Sequence, residues 1–268
     1  KTVGQILLEP DYALEPPADE CNEYTEEAGP VRAHAWPVVV QQCGWCKAAG
    51  AKLSLTRGGQ KALADSNPEI LREGVQQLIA DKDFDELNRV NHIRGQSGRG
   101  GRGMTSPGDR RQAIANAMAR WPTGEWFAFD DAWRFLLACK GRFSVCRDDA
   151  WRLFICEAQY GSLGYNGAGD SLERQFLRIF LMETCATLGL VEVAYTYPHD
   201  RWPELSGWWG TDDLSFLGRY GGLEYVRLTA LGAYCLGASN TYTATAPASK
   251  PIFRILPNHD VAVIDPAG

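Results

Sequence analysis

The residues whose type and spacing point most directly at chemistry are the arginines of RGQSGRGGRGMTSPGDRR: Arg94, Arg99, Arg102, Arg110 and Arg111. Asp109 is the only acid among them. A guanidinium presents a planar fork of donors that matches a phosphate. Glycine and serine give it no core to enter, so such a segment suits a phosphate backbone, with affinity that falls as salt rises. A soluble linker between two modules would have the same composition. Two further arginines, Arg174 and Arg178, share a face at i, i+4 in an otherwise apolar stretch from Leu172 to Leu188. That face could read base edges, although Glu173 and Glu183 and the apolar neighbours point to burial.

The other reactive residues assemble into nothing. Cys43-Gly-Trp-Cys46 has the spacing of a zinc or redox pair, with only His34 and Cys21 nearby as extra ligands. A structural zinc needs four ligands, so the pair is expected to pack on a helix at i, i+3, on the side of Val39. His92, His199 and His259 have no nucleophile arranged around them, and Asp212-Asp213 reads as an ordinary helix start with a favourable dipole. The glycines of GRGGRG do not follow a strand, and no G-x-x-x-x-G-K-[ST] loop is present. The expectation is a chain with no catalytic residue, no metal and no cofactor. Trp202, Trp208 and Trp209 could stack on bases or anchor a partner, but a lid over the core is the better reading of an insertion this apolar.

Composition bounds the class. The 268 residues carry a net charge of −6, 45% of them hydrophobic and 22% charged. The charge is polarised: Asp11 to Glu27 holds acids and no cation, opposite in sign to the Arg/Gly segment. No apolar run approaches the roughly 18–20 residues of a membrane helix. Cysteines placed in apolar stretches (Cys139, Cys156, Cys185, Cys235) fit a reducing, cytoplasmic setting. Lys1 at the start, and an end just past an apparent strand, read as a region excised from a longer protein.

The elements that must position these residues come from an internal repeat. LSLTRGGQKAL and VRLTALGAYCL align without a gap as L-T-x-x-G-x-x-x-L. In each, alternating residues form a strand and a threonine caps the next helix. The first copy follows WPVVVQQCGWCKAAG, read as a helix with Pro37 in its first turn and Gly50 after its last. The second follows the helix from Leu172 and a strand, Val191 to Tyr195, expected to pair antiparallel with Tyr225–Leu228. RRQAIANAMARW and DDAWRFLLACKG are amphipathic helices ahead of it, the latter starting on an Asp cap, with Trp151, Leu153 and Ile155 as a strand. Helices closed by such a hairpin make a winged helix. The expected fold is therefore α+β and mainly helical. Residues 1–93 form a partial winged-helix-like module with an acidic connector and 94–109 a flexible linker. Residues 110–238 form a second winged helix with a long Trp-rich insertion, and 239–268 lead into a small β element at Ile252–Leu256 and Val261–Ile264. In this fold the Leu172 helix, with Arg174 and Arg178, takes the position that enters the major groove.

From VRLTALGAYCLG through FRILPNHDVAVIDP the sequence resembles the helicase-associated domain of bacterial proteins related to the N-terminal region of XPB-type repair helicases. The likeness rests on L-T-x-x-G and on Arg254-Ile255-Leu256-Pro257-Asn258 followed by Asp260 and Val261. It implies a non-catalytic, DNA-engaging region of a larger helicase-like or genome-defence protein, contacting duplex or single-stranded DNA and no membrane. The reading of a different class is a winged-helix scaffold for protein partners.

Overall fold

A computed structural model describes residues 11–12, 30–65, 67–95, 104–146, 150–166, 170–198, 207–212, 214, 216–243, 253–255 and 261–263. Arg99, Arg102, Trp202 and most of the acidic connector lie outside the described residues. The chain is α+β and mainly helical, with small antiparallel sheets.

The first repeat opens with α1 (Arg32–Gln42), whose leading N–H groups are capped from a distance. The Asp11 carboxylate accepts from the backbone of Val31, Arg32 and Ala33 at 2.9, 3.0 and 3.3 Å. Pro37 falls inside this helix rather than in its first turn, so the helix begins earlier than its sequence suggests. It also ends earlier. Gly44, at φ 70°, turns the chain out at a conformation L side chains rarely adopt. The next residues form a hairpin of β1 (Cys46–Ala49) and β2 (Lys52–Leu55), with Cys46 opposite Leu55 and Ala49 opposite Lys52. Gly50 is therefore the hairpin turn and not a helix end, and Cys46 stands on a strand. After the hairpin come α2 (Arg57–Ala64) and α3 (Pro68–Ala80).

A 3₁₀ turn (Glu86–Arg89) and β3 (Ile93–Arg94) lead to the second repeat. There α4 (Pro107–Met118) is followed by β4 (Trp126–Ala128) and α5 (Phe129–Ala138). The start of α5 has no side-chain cap; Asp130 and Asp131 lie in its first turn, where they favour the dipole instead. Beyond it are β5 (Phe154–Ile155), paired with β3, and the short α6 (Leu163–Asn166). Of the strand expected around Trp151, only Phe154 and Ile155 pair; Trp151 lies in a 3₁₀ turn. Helix α7 (Ser171–Ile179) runs on as a π-helical turn, Phe180–Cys185. Strands β6 (Val191–Tyr195) and β7 (Leu223–Leu228) then pair antiparallel as expected, Val191 opposite Leu228 and Val193 opposite Val226. Strand β4 adds to the far side of β7, giving the order β4-β7-β6. Helix α8 (Ala230–Cys235) follows, and β8 (Phe253–Ile255) pairs with β9 (Val261–Val263) in the C-terminal element. Buried residues of both repeats, among them Val39, Leu78, Ile114, Phe176 and Val226, join one hydrophobic cluster.

The repeat is a lock on each hairpin. The Thr229 hydroxyl accepts from Gly232 N at 2.9 Å and donates to the Gly189 carbonyl at 2.7 Å. Thr56 does the same between Gly59 N at 3.0 Å and the Gly44 carbonyl at 2.6 Å. Each glycine lies so close to the chain entering its hairpin that a Cβ would overlap a carbonyl oxygen, that of Leu190 for Gly232 and that of Trp45 for Gly59. Thr229→Ala should therefore cost about 1–2 kcal/mol as a lost cap. Gly232→Ala should cost more, because the backbone must move apart. Urea unfolding of the two variants checks this; equal losses would mean that the close approach is not what requires the glycine.

Candidate nucleic-acid interface

Arg110 and Arg111 are 1% and 0% exposed, so the structure removes both from the expected phosphate surface. Arg110 Nη1 bonds both oxygens of Asp85 at 3.0 and 3.1 Å, its Nε bonds the Thr105 hydroxyl at 2.9 Å, and its guanidinium lies 5.0 Å over the Phe176 ring. Arg111 Nε bonds Glu86 Oε1 at 2.6 Å and Nη2 bonds Oε2 at 3.2 Å. Its remaining donors go to the carbonyls of Leu78, Asp81 and Phe84. A guanidinium has five N–H donors, and all those of Arg111 are engaged inside the protein. The physical reason is helical period: Arg111 shares the face of Ile114, Ala115 and Met118, all buried. That pattern was present in the sequence.

The helix whose arginines could read base edges is turned inward, as its apolar neighbours indicated. Every residue of α7 except Arg174 is buried. Arg178 is 5% exposed and lies 4.7 Å over the Phe129 ring. Arg174 is partly exposed, pairs with Asp130, and lies 5.3 Å over the same ring. Neither is presented to a groove. Arg94, in β3, is exposed.

Buried carboxylates complete this interior. Arg89 Nε bonds Glu183 at 3.0 Å and the Tyr220 hydroxyl at 3.2 Å, and Tyr220 donates to Glu183. Burial pushes the Glu183 carboxyl up against the pull of Arg89. The π-helical turn that carries Glu183 also presents the Met182 carbonyl to the Tyr12 hydroxyl at 2.7 Å. Among the described residues no group of three or more His, Cys, Asp or Glu could hold a metal ion.

One set of solvent-facing cations was missed because it is sparse in the sequence. From Cys46 to Ala64 the chain holds Lys47, Lys52, Arg57 and Lys61 and no acid. All four are exposed, and none forms an ion pair among the described residues. The fold groups them in two pairs. Lys47 faces Ser54 and Lys52 faces Ala49 across the hairpin, which places both lysines on one side of the ribbon. Arg57 and Lys61 are i, i+4 on α2. The signal available in the sequence was the absence of any acid across this stretch of a chain that is acidic as a whole.

Comparison with known proteins finds no matching family model, no matching curated protein and no matching solved structure.

Two outcomes follow from this interior. Arg111→Ala strands the Glu86 carboxylate in the core and should cost about 3–5 kcal/mol in denaturant unfolding. Glu173 supplies a pH test. Its Oε1 accepts from Val145 N at 2.7 Å, while Oε2 is buried without a hydrogen-bond partner among the described residues, and burial raises its carboxyl above the usual range. The folded state therefore keeps the proton longer than the unfolded one. The stability this contributes is full below the ordinary glutamate value of about 4.3 and is lost as pH rises through the raised folded value. Glu173→Gln should remove that loss, seen as a flatter dependence of unfolding free energy on pH.

Proposed function

We propose that the chain is a non-enzymatic, nucleic-acid-binding region of a larger DNA-engaging protein, built of two winged-helix-type repeats. In this reading it grips the phosphate backbone with the outer face of the β1–β2 hairpin and α2. The observation that carries it is the set Lys47, Lys52, Arg57 and Lys61, in a stretch without acids and with no ion-pair partner among the described residues, on a chain of net charge −6. The β4-β7-β6 order, with α5, α6 and α7 between β4 and β6, is consistent with a winged helix in the second repeat. The β8–β9 hairpin after it is consistent with the helicase-associated resemblance.

Binding of this kind reads little sequence. Phosphate contacts position a protein on DNA, and base-edge contacts specify the site; the polar positions of α7 that would supply the latter are internal or paired. The seven described cysteines are free thiols, which accords with a reducing, cytoplasmic setting. No helix among the described residues is long and apolar enough to cross a membrane. A protein-docking role is favoured by one separate observation, the apolar groove on the inner side of the same hairpin.

Titration of the chain with duplex and single-stranded DNA at a series of salt concentrations tests the proposal. Duplex binding should show a slope of about −3 to −4 in log affinity against log salt, and each cation removed should lower its magnitude by about 0.9. Replacing Lys47, Lys52, Arg57 and Lys61 together with alanine should abolish most of the affinity at unchanged melting temperature. Arg99→Ala with Arg102→Ala examines the Arg/Gly segment separately. No binding at low salt, or full affinity in the fourfold variant, would sink the proposal.

A further inference from the structure

We propose that a pocket at the junction of α3, α4 and α8 binds a nucleobase of the adenine type, one that offers a hydrogen-bond donor beside an acceptor on a single edge. This goes beyond the proposed function, because a free nucleoside satisfies it as well as an unpaired base in a strand. Helix α3 of the first repeat packs on both α4 and α8 of the second, and the pocket opens where the three come together. It encloses about 340 Å³, inside the range of about 300–1,000 Å³ usual for small-molecule sites.

The lining itself decides the class of ligand. Its buried part is Ile79 of α3, Ala115 of α4 and Cys235 of α8. Burial pushes the Cys235 thiol up to about 12, so the sulfur stays neutral and this floor carries no charge. The polar part is three exposed carboxamides, Gln76 from α3 with Gln112 and Asn116 from α4. Among the described residues no carboxylate, ammonium or guanidinium lines the pocket. A phosphate or an ammonium ligand would find no countercharge there. An uncharged ring with a polar edge fits, its face on the apolar floor and its edge on the amides.

The hydrogen bonds already made leave a defined pattern open. Gln112 and Asn116 are i, i+4 on α4, and Gln112 Nε2 donates to Asn116 Oδ1 at 2.9 Å. That bond orients both groups, leaving the Gln112 carbonyl oxygen to accept and the Asn116 amino group to donate. Gln76, opposite them on α3, makes no side-chain hydrogen bond among the described residues. A carboxamide matches the N6 amino group and N7 of adenine with one acceptor and one donor. Guanine presents two acceptors on that edge and is matched best by a cation, which this lining lacks. The amides also stand on helices held in place: Arg111, the residue before Gln112, donates to the Leu78 carbonyl of α3 at 3.1 Å. A site fixed in this way loses little freedom when a ligand enters.

The test titrates the isotope-labelled full chain with adenosine and with guanosine, following the side-chain amide resonances of Gln76, Gln112 and Asn116. A second pair of titrations uses oligo(dA) and oligo(dG) on the variant with Lys47, Lys52, Arg57 and Lys61 replaced, so that the hairpin cations do not contribute. The adenine form should shift these resonances and bind at least about fivefold more tightly than the guanine form, the lower end of what one matched bidentate contact discriminates. Preference among the nucleosides assigns the pocket to a free ligand, and preference among the oligonucleotides alone assigns it to a base in a strand. Gln76→Ala and Asn116→Ala should each weaken adenine binding by a similar factor at unchanged melting temperature, since both side chains are exposed. Equal affinity for adenine and guanine in both formats would overturn the proposal. So would amide resonances that do not move, or full adenine affinity in both variants. Loss of duplex binding in the fourfold variant concerns the hairpin alone and leaves this pocket's outcome separate.

Discussion

Two neighbouring guanidinium groups taken out of water together set the frame of this protein. A buried charge is tolerated only when it is paired and its remaining donors are satisfied, and Arg110 and Arg111 meet that condition on one segment, residues 81–86, with help from Leu78 and Thr105. The pairing fixes α4, the first helix of the second repeat, against the end of α3 and the 3₁₀ turn of the first. Arg110 also stacks on Phe176, so the same residue orients α7. A second, partly buried cluster, Arg89 with Glu183 and Tyr220, ties the 3₁₀ turn to the π-helical end of α7. The two repeats consequently share a single core rather than meeting across a surface.

Within that frame the repeats use one local device to different ends. Thr56 and Thr229 make the same pair of hydrogen bonds, and Gly59 and Gly232 make the same close approach to a carbonyl. In the second repeat β4 pairs with the hairpin and its inner residues Phe127, Val193 and Val226 pack on the core. In the first, the sheet is a bare two-stranded ribbon. Its alternation then leaves lysines on one side and leucines on the other, both reachable by partners. The difference in exposure, not in the L-T-x-x-G motif, makes the first repeat the one with surfaces to offer.

The fold was largely legible in the sequence where the physics is local. Threonine caps, the C-terminal hairpin and the end of the long helix at Gly189 follow from neighbouring residues, and the β6–β7 pairing follows from the repeat. What failed was non-local or depended on competing signals. Asp11 caps α1 from a point far up the chain, so the start of that helix carries no cap of its own. Gly44 ends it before Cys46, although the following alanines would suit a helix. The candidate site was less legible. Arg110 and Arg111 follow a Gly-rich stretch and look solvated, while their partners Asp85 and Glu86 precede that stretch with nothing in sequence to join them. The cations of the first repeat are spread over two strands and a helix, and the two lysines come to one side only when the hairpin forms.

In the proposed binding mode nucleic acid meets the first hairpin and α2 and leaves α7 untouched. Amide chemical-shift mapping of the isotope-labelled chain with a short duplex at low salt tests it directly. Perturbations should concentrate between Cys46 and Ala64, with Ser171–Ile179 unmoved. Perturbations centred on Ser171–Ile179, with the hairpin silent, would contradict it.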